Sequence, residues 1–275
     1  PTWERTIWNV SASAPLSFDN EKWWFPIVGR VPYLGFFSEA DADQRIAGLS
    51  DQGLDVYKRT AGAYSTLGWF NDPILPKMLG WTEARLSNTL FHELAHVTLW
   101  IPGSVAFNES FASFVGDVSA IRYLEHKYGV DSPEALDERA RMHDRRVFRL
   151  LLTDLYRDLD AVYSDESMSD EDKLAEKAEL IASLPQRVEE ADLLQTERWL
   201  EYVQKAPWNN ARLAQFRTYN RSPEHFAMLL EEVDGDLPTF FERIEHITRG
   251  ADDPYDAIAL AVGMPIASDD DDQAK

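Results

Sequence analysis

The chain has 275 residues, of which 44% are hydrophobic and 12% aromatic, so it carries enough apolar surface to bury a core, and disorder as its main state is excluded. Lys and Arg number 27 against 48 Asp and Glu, and the formal charge of −21 repels nucleic acid and anionic lipid, so no nucleic-acid partner is expected. With no cysteine, disulfides, thiol nucleophiles and Cys-based metal cages are excluded, and any metal must be held by His and carboxylates.

Up to about residue 80, short runs of Trp, Tyr, Phe, Val and Ile are punctuated by Gly and Pro, which is how strands and turns read. Strands are predicted over 5–10, 23–29, 31–37 and 54–60, with a helix over 39–52 that Gly53 stops. From Thr82 onward the periods become helical, and Thr82, Ser132 before Pro133 and Ser222 before Pro223 occupy helix-start positions. Val147, Leu151, Leu155, Leu159 and Val162 recur at helical spacing, as do Leu174, Ala178 and Ile181 after an acidic connector at 165–172. Pro185 is expected to interrupt the second of these helices, leaving Trp199 to Val203 on a separate one. Four consecutive Asp in 268–275 predict a disordered tail. The apolar stretch at 257–267 is too short to span a bilayer, so no transmembrane segment is expected.

The segment that carries chemistry runs from Leu86 to Gly116 and holds His92, Glu93 and His96 in the order H-E-x-x-H. Residues four apart on a helix lie on one face a turn apart, so both imidazoles can offer a ring nitrogen to one zinc ion. Glu93 is rotated by about 100° from His92 and points beside the metal, where the general base of a hydrolase must sit. Leu86, Leu90, Leu94 and Val97 are expected to pack along this helix, which ends before Pro102 and Gly103. A catalytic zinc takes three protein ligands and leaves one position open, so a third donor is needed. Glu109 is the best candidate, because it opens a second helix that folds back after a turn at 101–105. His126, His143 and His246 have no paired spacing and read as surface or packing residues.

H-E-L-A-H followed by N-E-S-F-A resembles the gluzincin peptidases, in which the two motif His and a downstream Glu bind zinc and the motif Glu activates water. Only twelve residues separate His96 from Glu109, so the connection is tighter than in the best-known members of that group. A closer resemblance, covering most of the chain, is to the bacterial family of putative aminopeptidases. It rests on FPIVGRVPYLGFFSEADA (25–42), DVYKRTAGAYSTLGWFNDP (55–73), FHELAH, AFNESFASFV and WNNARLAQFRTYN (208–220). That family often carries a lipoprotein-type leader and cysteines in the first segment, whereas this chain has Trp24 and Gly29 there. The chain starts at Pro1, as expected of a mature or trimmed form, and the resemblance implies the bacterial cell envelope or periplasm, with a lipid anchor before trimming.

Further roles are open to residues outside the motif. Tyr219 could donate a hydrogen bond to the oxyanion or simply pack a helix, with Tyr64 and His225 as lesser candidates. The run at 63–70, with Tyr64, Thr66 and Gly68, could be an edge strand that pairs with the substrate backbone, or a hydrophobic strand covering the zinc helix. Asn209 and Asn210 could bind substrate backbone or a terminal amine, or cap the next helix. Ser113 and Asp117, one and two turns after Glu109, could orient the His ligands or be ordinary polar helix residues.

The expected architecture is α+β and predominantly α, gluzincin-like. A small N-terminal mixed lobe (1–81) packs on a helical metallopeptidase half (82–267), with the zinc helix and its cleft between them and the acidic tail (268–275) beyond. The expected function is zinc-dependent peptide hydrolysis, most simply by an aminopeptidase, with one zinc per chain and Glu93 as base. The alternatives are an endopeptidase of the same mechanism and a non-catalytic peptide-binding protein on the same scaffold.

Overall fold

The computed structural model describes residues 7–25, 29–60, 76–218 and 223–264. The architecture is predominantly helical, with one small three-stranded sheet. The chain divides into two compact units, Pro1–Gly62 with Asp137–Arg217, and Ala63–Leu136 with Thr218–Lys275. The boundary expected at residue 81 therefore falls inside a unit. The change from strand-like to helical sequence follows local propensity, whereas the grouping follows long-range contacts such as Lys177 Nζ to Asp55 Oδ2 at 2.6 Å. The acidic tail and the calls at Tyr64, Thr66, Gly68 and Tyr219 lie outside the described residues.

In the first unit, β1 (Trp8–Ser13) lies between β4 (Leu34–Phe36) and β5 (Asp55–Thr60), antiparallel to both. Two shorter strands, β2 (Trp23–Phe25) and β3 (Gly29–Val31), pair with each other. The strand expected over 31–37 is divided at Pro32, whose missing N–H cannot join a ladder. Val10 and Ala12 of β1 meet Ala42 and Leu49 of helix α1 (Glu39–Ser50), which the Ser38 hydroxyl caps by accepting from the Asp41 N–H.

The helices of this unit surround a second core. Phe148, Leu152, Leu155 and Leu159 of α4 (Pro133–Ser164) bury against Leu184 and Val188 of α6 (Leu184–Glu190), Val203 of α7 (Thr196–Gln204) and Leu213 of α8 (Asn210–Thr218). The stripe is shifted by one residue from the expected Val147 and Leu151, which are only partly buried, because Phe148 stacks on Trp199 at 4.3 Å. On α5 (Asp170–Ala182), Leu174 and Ala178 are exposed rather than packed. The buried residue is Lys177, whose ammonium is satisfied by Asp55 and by the Pro15 carbonyl at 2.7 Å. Pro185 stands in the first turn of α6, which Leu184 begins, and α7 is a separate helix, as the sequence predicts.

The second unit holds a short 3₁₀ turn (Pro76–Gly80), α2 (Glu83–Thr98), α3 (Val105–Tyr128), α9 (Pro223–Glu232), α10 (Leu237–Thr248) and α11 (Pro254–Ala261). Phe107, Phe111 and Val115 line one face of α3 and pack against Phe226 and Leu229 of α9, Phe240 and Ile244 of α10, and Tyr255 and Ile258 of α11. Against expectation, Leu90, Leu94 and Val97 of α2 are exposed, and the buried residues of that helix are Ser87, Ala95 and His96. Periodicity reveals a stripe but not which face turns inward. Here the face toward α3 is small and polar, which brings the two helices close. Among the described residues, no helix is long and apolar enough to cross a membrane.

Candidate metal centre

The helices α2 and α3 form an antiparallel hairpin fastened at three levels. At the open end, Glu83 in the first turn of α2 accepts hydrogen bonds from Tyr123 and Tyr128 of α3 and pairs with Lys127. Lys127, and then the two phenols, hold the Glu83 carboxyl down at about 2. In the middle, Asn88 Nδ2 donates to Asp117 Oδ1 at 2.7 Å. Beside this pair Gly116 faces α2 so closely that an added Cβ would stand 2.9 Å from the Asn88 carbonyl oxygen and 3.3 Å from the His92 Cβ.

At the closed end, the connection is a tight turn over Ile101, Pro102, Gly103 and Ser104. The Ser104 N–H donates to the Ile101 carbonyl at 3.3 Å, with Gly103 at φ +84°. A type II turn favours proline at the second place and needs a left-handed residue, here Gly103, at the third. The turn explains how twelve residues suffice to bring Glu109 back beside His92 and His96.

His92, His96 and Glu109 converge. The two Nε2 atoms are 3.1 Å apart, Glu109 Oε2 is 3.5 Å from His92 Nε2, and Glu109 Oε1 is 3.7 Å from His96 Nε2. Four ligands around a zinc at ordinary bond lengths stand about 3.3 Å from one another, so these separations fit three corners of a tetrahedral site. The donor set of two imidazoles and one carboxylate could hold a metal ion. Burial of Glu109 opposes its charge, but the two imidazoles beside it outweigh that and hold its carboxyl down at about 2, so it offers an anionic ligand at neutral pH.

Glu93 Oε2 is buried and has no hydrogen-bond partner among the described residues. An unsatisfied buried carboxylate oxygen costs free energy unless something from outside the fold donates to it, and a reacting water would do so. The Trp100 ring stands edge-on to His96 with centroids 5.6 Å apart and remains partly exposed, walling the site at the end of α2.

Ser113 and Asp117 lie on α3 after Glu109, and Asp117 accepts from Asn88. Among the described residues the buried His96 Nδ1 has no hydrogen-bond partner, so neither Ser113 nor Asp117 orients that ring. His225 of α9 also buries an Nδ1 with no partner among the described residues, and its burial lowers its pKa. The substrate-binding role expected for Asn210 is corrected: the residue is fully buried in the first unit. Its Nδ2 reaches the carbonyls of Ala14, Pro15 and Ser17 at 2.9 to 3.1 Å, its Oδ1 accepts from the Tyr163 hydroxyl, and its N–H donates to Asp55. No part of that amide is left for a ligand. Asn209 takes the capping role, accepting from the Arg212 N–H at 3.0 Å and donating to the Val56 carbonyl.

Sequence reasoning assigned no role to Asn88, Trp100, Asn108 or Gly116. A glycine inside a strong helical pattern is a legible sign of close approach, and Gly116 carried it. Nothing in spacing alone marks Asn88 or Asn108.

No curated protein and no solved structure matches the chain. The family model described as "Putative aminopeptidase" matches residues 3–256, a span that includes all three candidate ligands and Glu93. The family's name points to a peptidase and so to a peptide substrate. On that match the chain belongs to the "Putative aminopeptidase" family.

Proposed function

We propose that this protein is a zinc-dependent peptide hydrolase of gluzincin type, acting as an aminopeptidase with one zinc per chain. The observation that carries the reading is the convergence of two imidazole nitrogens and one carboxylate, from neighbouring turns of α2 and α3, at separations of 3.1 to 3.7 Å. His92, His96 and Glu109 would hold the metal. When bound, zinc supplies Lewis-acid polarisation of a peptide carbonyl and of water.

Glu93 accepts the proton of the attacking water at Oε2, which has no partner among the described residues, and delivers it to the leaving amine. The anionic Glu109 leaves the metal a reduced but still positive charge, which suits polarisation of a neutral carbonyl. Trp100, beside His96, excludes water from one side of the site and offers an apolar edge to a substrate side chain. The oxyanion donor is assigned to Tyr219, and pairing with the substrate backbone to the run containing Tyr64, Thr66 and Gly68. The family name supports exo action at a free amine.

The test is a digestion of matched peptides with free and acetylated N-termini by the wild-type protein and by Glu93→Gln. Release of N-terminal residues from the free peptides alone, lost in Glu93→Gln while zinc is retained, is the expected result. Internal cleavage of both peptides identifies an endopeptidase, and undiminished hydrolysis by Glu93→Gln removes that residue as the base.

A further inference from the structure

We propose that Asn108 is a positioning residue for the metal centre, clamping the connection between α2 and α3 so that Glu109 meets the two histidines. The inference rests on the metal reading above and adds a residue to it. The Asn108 side chain is buried, with 1% of the residue exposed. Its amide makes a two-way contact with one residue of the turn: Oδ1 accepts from the Ile101 N–H at 2.9 Å, and Nδ2 donates to the Ile101 carbonyl at 2.8 Å. The pair imitates the reciprocal hydrogen bonds of an antiparallel bridge and fixes both the distance and the rotation of the turn against the first turn of α3.

Ile101 opens the turn after α2, where its carbonyl accepts from the Ser104 N–H but its own N–H has no backbone acceptor among the described residues. Asn108 supplies that acceptor from the facing helix. Its neighbours in sequence and in space are the ligands themselves. The next residue on α3 is Glu109, and the residue before Ile101 is Trp100, whose ring touches His96. On the far side of Glu109, Ser110 is hydrogen-bonded to the Tyr255 hydroxyl at 2.8 Å, and that hydroxyl also donates to the Ala106 carbonyl. The ligand is therefore bracketed by two buried polar anchors, one to the turn and one to α11, which restrict rotation of α3 about its axis.

Only an amide at this position can serve both Ile101 groups. An aspartate keeps the acceptor but sets a second oxygen against the Ile101 carbonyl, and an alanine leaves the Ile101 N–H unpaired and its carbonyl with the Ser104 N–H alone. Loss of groups that orient a metal ligand costs about 10–100-fold in metal affinity.

Zinc affinity is measured by competition with a chromophoric chelator on the full chain, for wild type, Asn108→Asp and Asn108→Ala. The visible spectrum of the Co2+-substituted proteins is recorded beside it. Tyr163→Phe, which removes a buried hydrogen bond in the other unit, controls for lost stability alone. The expected result is an affinity lowered about 10-fold or more in both Asn108 variants, with weakened or shifted Co2+ bands, and an unchanged affinity and spectrum in Tyr163→Phe despite a lower unfolding midpoint. If one Asn108 variant does not fold, the other carries the measurement. Wild-type affinity and spectrum in a folded Asn108 variant overturn the positioning role while leaving the metal reading intact. A wild-type protein that takes up neither Zn2+ nor Co2+ overturns both.

Discussion

The α carbon of Gly116 faces the Asn88 carbonyl across the α2–α3 hairpin at a distance that leaves no room for a methyl group, since a Cβ there would lie 2.9 Å from that oxygen. The nearest backbone atoms belong to the helix that carries His92, so relief of the clash must move one ligand-bearing helix relative to the other. Gly116→Ala is expected to destabilise the protein by about 1–3 kcal/mol, the usual cost of overpacking, and to weaken zinc binding. Urea unfolding and a zinc titration on the same sample check this. Unchanged zinc affinity would show that the hairpin yields elsewhere.

Metal removal should couple to stability, because an ion held by His92, His96 and Glu109 would join α2 to α3 only in the folded chain. A ligand that binds only the folded state at 100 times its Kd stabilises by about 2.7 kcal/mol. Addition of a strong chelator is therefore expected to lower the unfolding temperature, and His96→Ala to remove the chelator's effect. Calorimetry with and without chelator is the measurement.

The clasp at the open end of the hairpin carries a pH signature. Glu83 has an ordinary value of 4.5 and is held at about 2 in the folded chain, first by Lys127. A depressed carboxylate contributes stability that is complete above about pH 4.5 and is lost as pH falls toward about 2. Glu83→Gln should therefore be less stable than wild type at neutral pH, with the gap narrowing between about pH 4.5 and 2. Equal spacing of the two stability curves across that window would remove Glu83 from the acid limb.

Asn210 separates architecture from chemistry. Its replacement by Ala takes their Asn210 partner from the Tyr163 hydroxyl and from the Ala14 and Ser17 carbonyls, while the Pro15 carbonyl keeps Lys177, at a cost of about 1–3 kcal/mol for each group that water cannot reach. Asn210→Ala is expected to lower thermal stability while zinc content and KM stay at wild-type values. A raised KM with unchanged stability would return the residue to substrate binding.

Tyr219→Phe is expected to lower kcat by about 10²–10³-fold, the usual effect of losing one oxyanion donor, with zinc content unchanged. Steady-state kinetics decide it, and a wild-type kcat would exclude the phenol from the reaction.

Much of the centre was legible because its geometry is local. Two His at a spacing of four and a Glu just past a Pro-Gly turn depend only on helix periodicity and turn chemistry, and the structure brings all three together. The helix starts at Thr82 and Pro133 and the break at Pro185 were equally local. What escaped was decided over long range. The α2 stripe of Leu90, Leu94 and Val97 faces outward because His96, Ala95 and Ser87 take the buried face. Lys177 is buried because Asp55, distant in the chain, awaits it. Asn210 resembled a ligand-binding amide until its four partners from 14–17 and Tyr163 were in view.

The central claim is that Glu109 completes a metal site with His92 and His96. Its most direct test is the zinc stoichiometry and affinity of the full chain after exhaustive dialysis, compared with Glu109→Gln. The account predicts about one zinc per chain in the wild type, as for a three-ligand catalytic site, and a markedly weaker affinity in the variant. A wild-type chain that takes up no zinc at neutral pH, or a Glu109→Gln chain that binds it equally tightly, would contradict it.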